Sequence, residues 1–158
     1  TFQAKPIIVA DKNIIISTRN KISAISTNGK RQWEIDLKTS VNPIVSGKYI
    51  LLVTDNNYLM LIDIDTGKII YSQNIIKILK NDVNKNYSKK IKKFEHVFLI
   101  NNNILLISNS SYFIEFNLGK KTNISSIRKK PFQISSDIIF HKNNLLLVSE
   151  NKRIYKIN

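Results

Sequence analysis

The chain has 158 residues, enough for one domain with a core of its own, and a formal charge of +14 at pH 7. It contains no cysteine, which excludes disulfides, thiolate zinc sites and cysteine nucleophiles. Ile, Lys and Asn fill 70 of the 158 positions (29, 21 and 20), so lysine is the default polar residue everywhere and the charge by itself is a weak pointer to a polyanion. The apolar runs stop at four or five residues, far short of the ~20 that a membrane-spanning helix needs.

Taken in order, the chain is one pattern written four times. The first copy covers residues 6–16, a turn at Arg19-Asn20-Lys21, and residues 22–25, with its first hairpin open to two registers one residue apart. The second has Pro43-Ile44-Val45, a Ser46-Gly47-Lys48 turn, residues 49–53, an Asp55-Asn56-Asn57 turn and residues 58–63. The third, residues 97–117, turns at Asn101-Asn102-Asn103 and again at Asn109-Ser110-Ser111. The fourth, residues 138–158, turns at Lys142-Asn143-Asn144 and Glu150-Asn151-Lys152. With Ile16, Val53, Ile107 and Val148 taken as equivalent, the spacings are 37, 54 and 41.

Each copy is a set of short β-branched and aliphatic runs punctuated by Asn, Asp, Gly and Ser, which is a hairpin signature. About four short strands per ~40 residues, repeated, is the signature of propeller blades. The predicted architecture is therefore an all-β propeller of about four four-stranded blades, at residues 5–37, 41–75, 95–131 and 133–158, in a single domain spanning 1–158. The long spacing holds a basic insertion at residues 76–94, with Lys77, Lys80, Lys85, Lys89, Lys90, Lys92 and Lys93 against one acid, Asp82. It reads as a solvated loop between blades, with room for a helical turn, or as a basic arm. Insertions in repeat arrays map to one exposed face, so Lys77, Lys80, Lys89, Lys90, Lys92 and Lys93 are the candidate partner contacts.

The second copy continues as Leu61-Ile62-Asp63-Ile64-Asp65-Thr66-Gly67-Lys68-Ile69-Ile70-Tyr71, and the first as Ala24-Ile25-Ser26-Thr27-Asn28-Gly29-Lys30-Arg31-Gln32-Trp33. Both resemble the tryptophan-docking motif of the PQQ-like (quinoprotein-type) propeller repeat, A-x-D-x-x-T-G-K-x-x-W. Here the second copy has Leu for Ala and Tyr for Trp, while the first is one residue shorter and has Ser for Asp. Asp63 is placed to bond the turn that follows, Gly67 to take a positive φ, and Trp33 and Tyr71 to pack on the neighbouring blade. The third copy keeps only Asn117 and Gly119-Lys120, and the fourth stops before the motif begins.

The resemblance implies one of two branches. Quinoprotein dehydrogenases hold pyrroloquinoline quinone and calcium, often over a vicinal disulfide. BamB-type lipoproteins are non-catalytic, eight-bladed periplasmic scaffolds of outer-membrane protein assembly. The absence of cysteine and of a matching Glu, Asn and Asp cluster favours the scaffold branch, with no catalytic, cofactor or metal residues to assign. That branch implies protein partners held through loops and a periplasmic, outer-membrane-associated location. The runner-up readings are a fragment of a quinoprotein dehydrogenase and a polyanion-binding propeller.

Other constellations fall away on chemistry. Asp63-x-Asp65-x-Gly67 lacks the bidentate glutamate of a calcium loop, since the twelfth position is Asn74. His96 and His141 have no ligand or nucleophile pattern around them and read as surface residues. Tyr and Phe interleave with Lys at strand spacing, which means core packing before base stacking, so a nucleic-acid partner is not expected. The fourth copy lacks an outer strand and residues 1–4 are too few to supply it. The expectation is a piece of a longer propeller, or a homodimer whose two copies complete an eight-bladed ring.

Overall fold

The computed structural model of the protein describes residues 5–18, 20–100, 103–118, 124–135, 138–141 and 144–157. These residues contain fifteen strands in four antiparallel sheets, each sheet made of strands consecutive in the chain. The first holds β1 (Ile8–Ala10), β2 (Asn13–Ser17), β3 (Lys21–Ser26) and β4 (Arg31–Asp36). The second holds β5 (Ile44–Ser46), β6 (Tyr49–Val53), β7 (Tyr58–Asp63) and β8 (Ile69–Asn74). The third holds β9 (Phe94–Ile100), β10 (Asn103–Ser108), β11 (Tyr112–Phe116) and β12 (Ile124–Lys129). The last holds β13 (Ile139–His141), β14 (Asn144–Val148) and β15 (Ile154–Ile157), one strand fewer than the others among the described residues.

These are blades, packed face to face. Ile15, Ile22 and Ala24 of the first bury against Ile50, Leu52 and Ile62 of the second. Leu51, Val53 and Leu59 bury against Ile104, Leu106 and Ile114 of the third. Leu105, Ile107 and Phe113 bury against Leu145 and Leu147 of the last. Successive side chains on a strand point to opposite faces, so a strand with a neighbour on both sides must be apolar throughout. That is why β6 is buried without interruption from Ile50 to Val53, and why β2, in an end blade, alternates buried and half-buried. Among the described residues no cluster joins the last blade to the first. The array is an open, partial propeller, as the repeat predicted.

The pairing refines the repeat. Val53 pairs with Leu59, Ile107 with Phe113, Val148 with Ile154, and Ser17 with Ile22. The true counterpart of Val53 is therefore Ser17, not Ile16, and the first spacing is 36 ahead of the turn and 37 after it. The first turn is one residue shorter than the others. A hydroxyl side chain starts all four turns and accepts a bond from a backbone N–H on the far side: Thr18 from Lys21 (3.2 Å), Thr54 from Tyr58 (3.0 Å), Ser108 from Tyr112 (3.1 Å) and Ser149 from Arg153 (3.3 Å). In the three longer turns one residue takes a left-handed φ at the same place: Asn57 (62°), Ser111 (62°) and Lys152 (61°). Of the other predicted turns, Asn101, Asn102, Lys142 and Asn143 lie outside the described residues, as do Gly119 and Lys120.

The insertion is not a solvated loop. It folds as α1 (Ile75–Ile78), a π-helical turn (Leu79–Val83) and α2 (Lys85–Lys90). Ile75, Leu79 and Ile91 are fully buried in the core between the second and third blades, with Ile76, Ile78 and Tyr87 packed around them. Asn74 caps α1 by accepting from the Lys77 N–H at 3.0 Å, and its amide donates to the Asn56 carbonyl at 3.2 Å. At the far end the Asn57 side chain donates to the Lys92 carbonyl (3.0 Å) and the Ser110 hydroxyl to the Lys90 carbonyl (2.9 Å). No helix among the described residues is long and apolar enough to cross a membrane.

A docked insertion makes a measurable claim. Leu79→Ala should cost about 2–5 kcal/mol in urea unfolding, the range for a large-to-small change at a filled core site. A change within ~0.5 kcal/mol would mean that the segment is solvated after all.

Candidate functional site

The best-defined constellation is the turn between β7 and β8. Asp63 Oδ1 accepts from the Asp65 N–H (3.2 Å), the Thr66 N–H (2.9 Å) and the Thr66 hydroxyl (2.8 Å). These donors hold the Asp63 carboxyl below its usual range, led by the Thr66 hydroxyl and the Thr66 N–H. Gly67, at φ +71°, closes the turn by donating to the Asp63 carbonyl at 2.9 Å. Its bare face is covered by Trp33 of the first blade: a Cβ there would stand 2.7 Å from Trp33 Cδ2. The Trp33 indole N–H donates to the Ile64 carbonyl at 2.9 Å, and the Asn13 amide donates to Asp65 at 3.0 Å. Three grips thus join the first blade to one turn of the second.

Each of the first three blades carries a register shift beside this turn, at Ala24/Ile25, Leu61/Ile62 and Glu115/Phe116. The shifts align the residues paired opposite, Trp33, Tyr71 and Ser126. Tyr71 packs against the core between the second and third blades; burial raises its pKa, and its hydroxyl has no partner among the described residues. Ser126 offers no ring. The geometry is mechanical: it bonds blade to blade.

The second feature is the outer face of the insertion. Lys77, Lys80, Lys89, Lys90, Lys92 and Lys93 are all exposed, and none pairs with a described carboxylate. Their backbone is held by the buried Ile75, Leu79 and Ile91 and by the bonds from Asn57, Asn74 and Ser110. Lys89, Lys90, Lys92 and Lys93 consequently lie over the hairpin turns of the second and third blades, where Asn109 N–H also bonds the Lys93 carbonyl at 3.0 Å.

A third feature escaped sequence reasoning. The first strands of the second and third blades, β5 and β9, come together. With residues 41–43 and Ile138 they line a cleft of ≈ 290 Å³. Glu95 and His96 face it from β9. His96 is not a surface residue: it lies within β9, half-buried and stacked on Phe98 with ring centroids 6.3 Å apart. The register of β9 against β10 decides this, and a lone histidine in a polar stretch carries no sign of it. His141 ends β13 and is exposed. Among the described residues no three histidine, aspartate or glutamate side chains gather as a metal-binding group.

Two expected outcomes test the turn. Gly67→Ala should lower the thermal midpoint well beyond Gly47→Ala, because both lose a positive φ (about 1 kcal/mol) but only the first drives a methyl into an indole ring. Asp63→Asn should reveal the lowered carboxyl. A depressed folded pKa contributes stability above the ordinary carboxylate pKa and loses it as pH falls through the folded value. The gap in midpoint between the wild type and Asp63→Asn should be full at neutral pH and narrow below about pH 4.

Comparison with known proteins falls into line with this geometry. Residues 2–73 match the family model described as outer membrane protein assembly factor BamB. They include both intact docking turns. No curated protein sequence matches the chain. By structure it is similar to BamB from Moraxella catarrhalis at a TM-score of 0.70 and 10% identity, over 95% of this chain and 41% of that one. It is similar to the computationally designed Ika8 protein at 0.66 and 10%, over 98% of this chain and 45% of that one. It is also similar to the designed Ika4 protein at 0.66 and 5%, over 99% of this chain and 92% of that one. The chain spans about two-fifths of the length of the BamB that it matches. The four sheets give the chain the fold of a propeller-repeat array, and residues 2–73, which carry the repeated docking turn, are similar to the BamB family.

Proposed function

We propose that the chain is a non-enzymatic protein-interaction scaffold of BamB type, acting in the periplasm in outer-membrane protein assembly. The observation that carries this reading is the family match over residues 2–73, the part of the chain in which the blade-locking turn is intact. The arrangement of the lysines supports it. Lys77, Lys80, Lys89, Lys90, Lys92 and Lys93 are displayed on a backbone that is already ordered, so a partner binding there would not have to fold the segment first. Ammonium groups held this way suit a carboxylate-bearing protein surface, with gains mainly in encounter rate and partner choice.

The test is capture by the immobilised chain from detergent-solubilised envelope proteins at physiological ionic strength. The expected result is retention of a discrete outer-membrane assembly component by the wild type. A variant with all six lysines changed to Glu should lose it while keeping its circular dichroism spectrum and midpoint. Capture of nucleic acid or heparin instead, with affinity falling steeply as salt rises, would replace the scaffold with a polyanion binder. Stoichiometric binding of pyrroloquinoline quinone with calcium would replace it with the dehydrogenase reading.

A further inference from the structure

The cleft between β5 and β9 serves neither the blade lock nor the lysine face. Its volume of ≈ 290 Å³ lies at the foot of the roughly 300–1,000 Å³ range of small-molecule sites, so it suits one long side chain better than a cofactor. The strand that builds it departs from the repeat. Among the described residues β1, β5 and β13 have three residues each, whereas β9 has seven. Ile44 of β5 pairs with Leu51 as Phe98 of β9 pairs with Leu105, so the added length is residues 94–97, which include Glu95 and His96.

The added length is also irregular. The pairing of β9 with β10 passes from His96–Ile107 to Phe94–Ser108, which leaves Glu95 with no residue opposite. Such a bulge releases its extra residue from strict alternation and re-aims the side chain. Here Glu95 and its chain neighbour His96 both face the cleft. Glu95 pairs with no described base, although Lys92 and Lys93 precede it by three and two residues. Around this carboxylate stand the Asn42 side chain, the apolar Ile44 and Ile138, and the His96 and Phe98 rings, which stack within 15° of parallel.

We propose that the cleft takes an arginine side chain of a protein partner, its stem against Ile44, Phe98 and Ile138 and its guanidinium paired with Glu95. The inference rests on the scaffold reading for the source of the arginine. A guanidinium suits the cleft better than an ammonium does. It is planar and weakly hydrated, its forked donors reach a carboxylate and the Asn42 amide oxygen together, and its face can stack on the His96 ring. A mobile cation is held off by the chain's charge of +14, whereas one tethered to a partner is carried in by the rest of the interface.

The probe is a blocked tripeptide with arginine between two glycines, titrated into the isotopically labelled chain at physiological ionic strength. The same peptide with citrulline is its uncharged isostere. The expected amide shifts fall on residues 41–44 and 95–98 with the arginine peptide and are absent with citrulline. Glu95→Gln should weaken binding about tenfold or more, the loss of one charge-assisted bond. Asp11→Asn removes the same charge from an exposed turn and should leave binding unchanged. Ile138→Trp should fill the cleft and abolish the shifts with the circular dichroism spectrum kept. Equal binding of both peptides, shifts away from the cleft, or no shift at all would overturn the proposal. Retention of an envelope partner should also weaken with Glu95→Gln. Undiminished retention would overturn the arginine cleft and leave the scaffold reading standing, while failure of the wild type to retain any partner would strike the scaffold reading itself.

Discussion

A blade that is apolar on both faces needs a neighbour on both sides, and most of this structure follows from that one demand. It sets the composition of the central strands, where Ile50, Leu51, Leu52 and Val53 are all buried. It explains why the cores lie between sheets and not within one layer. The hydrogen bonds of each sheet fix which residue faces which neighbour, and burial of a single Leu or Ile contributes on the order of 1.5–3 kcal/mol once that neighbour is present.

The lock at Asp63, Gly67 and Trp33 adds direction to a stack that burial alone would leave free to slide. Burial is non-directional, whereas an indole N–H bonded to one carbonyl and a ring seated on one glycine set the angle between blades. The lock weakens along the chain, from Trp33 to Tyr71, whose hydroxyl has no partner among the described residues, to Ser126, which has no ring. At the last joint aromatic packing of another kind appears: Phe132, ahead of the last blade, stacks on Tyr155 at 3.8 Å. Between the second and third blades the insertion contributes Ile75, Leu79 and Ile91 to the seam. What an aromatic side chain does at the first joint is shared out at the second among apolar residues from outside the repeat.

The propeller was legible in the sequence because turns and apolar runs are local, and four copies corroborate one another. The details that escaped depend on pairing across space. Ser17 stands where Ile16 was expected because the first hairpin turn is one residue short, and a run of three isoleucines gives no clue to which one leads into it. The starting hydroxyls Thr18, Thr54, Ser108 and Ser149 are visible once the copies are aligned on strand pairs, but not when they are aligned on Asn-rich turns. Ile75, Ile78 and Leu79 have the i, i+3, i+4 spacing of a helix face, and the surrounding lysines masked it. The cleft beside Glu95 and His96 could not be foreseen, since it forms only where the first strands of two blades converge.

Trp33 is the only tryptophan in the chain, and it sits at the seam between the first two blades. Its fluorescence is therefore an observer of one joint and not of the whole molecule. In a repeat array, where each unit leans chiefly on its immediate neighbours, the end units can loosen before the middle ones do. An emission shift that precedes the loss of β-sheet circular dichroism would register the first blade peeling away while the insertion-backed centre stays folded, which makes this protein a natural instrument for watching how far cooperativity extends along a propeller.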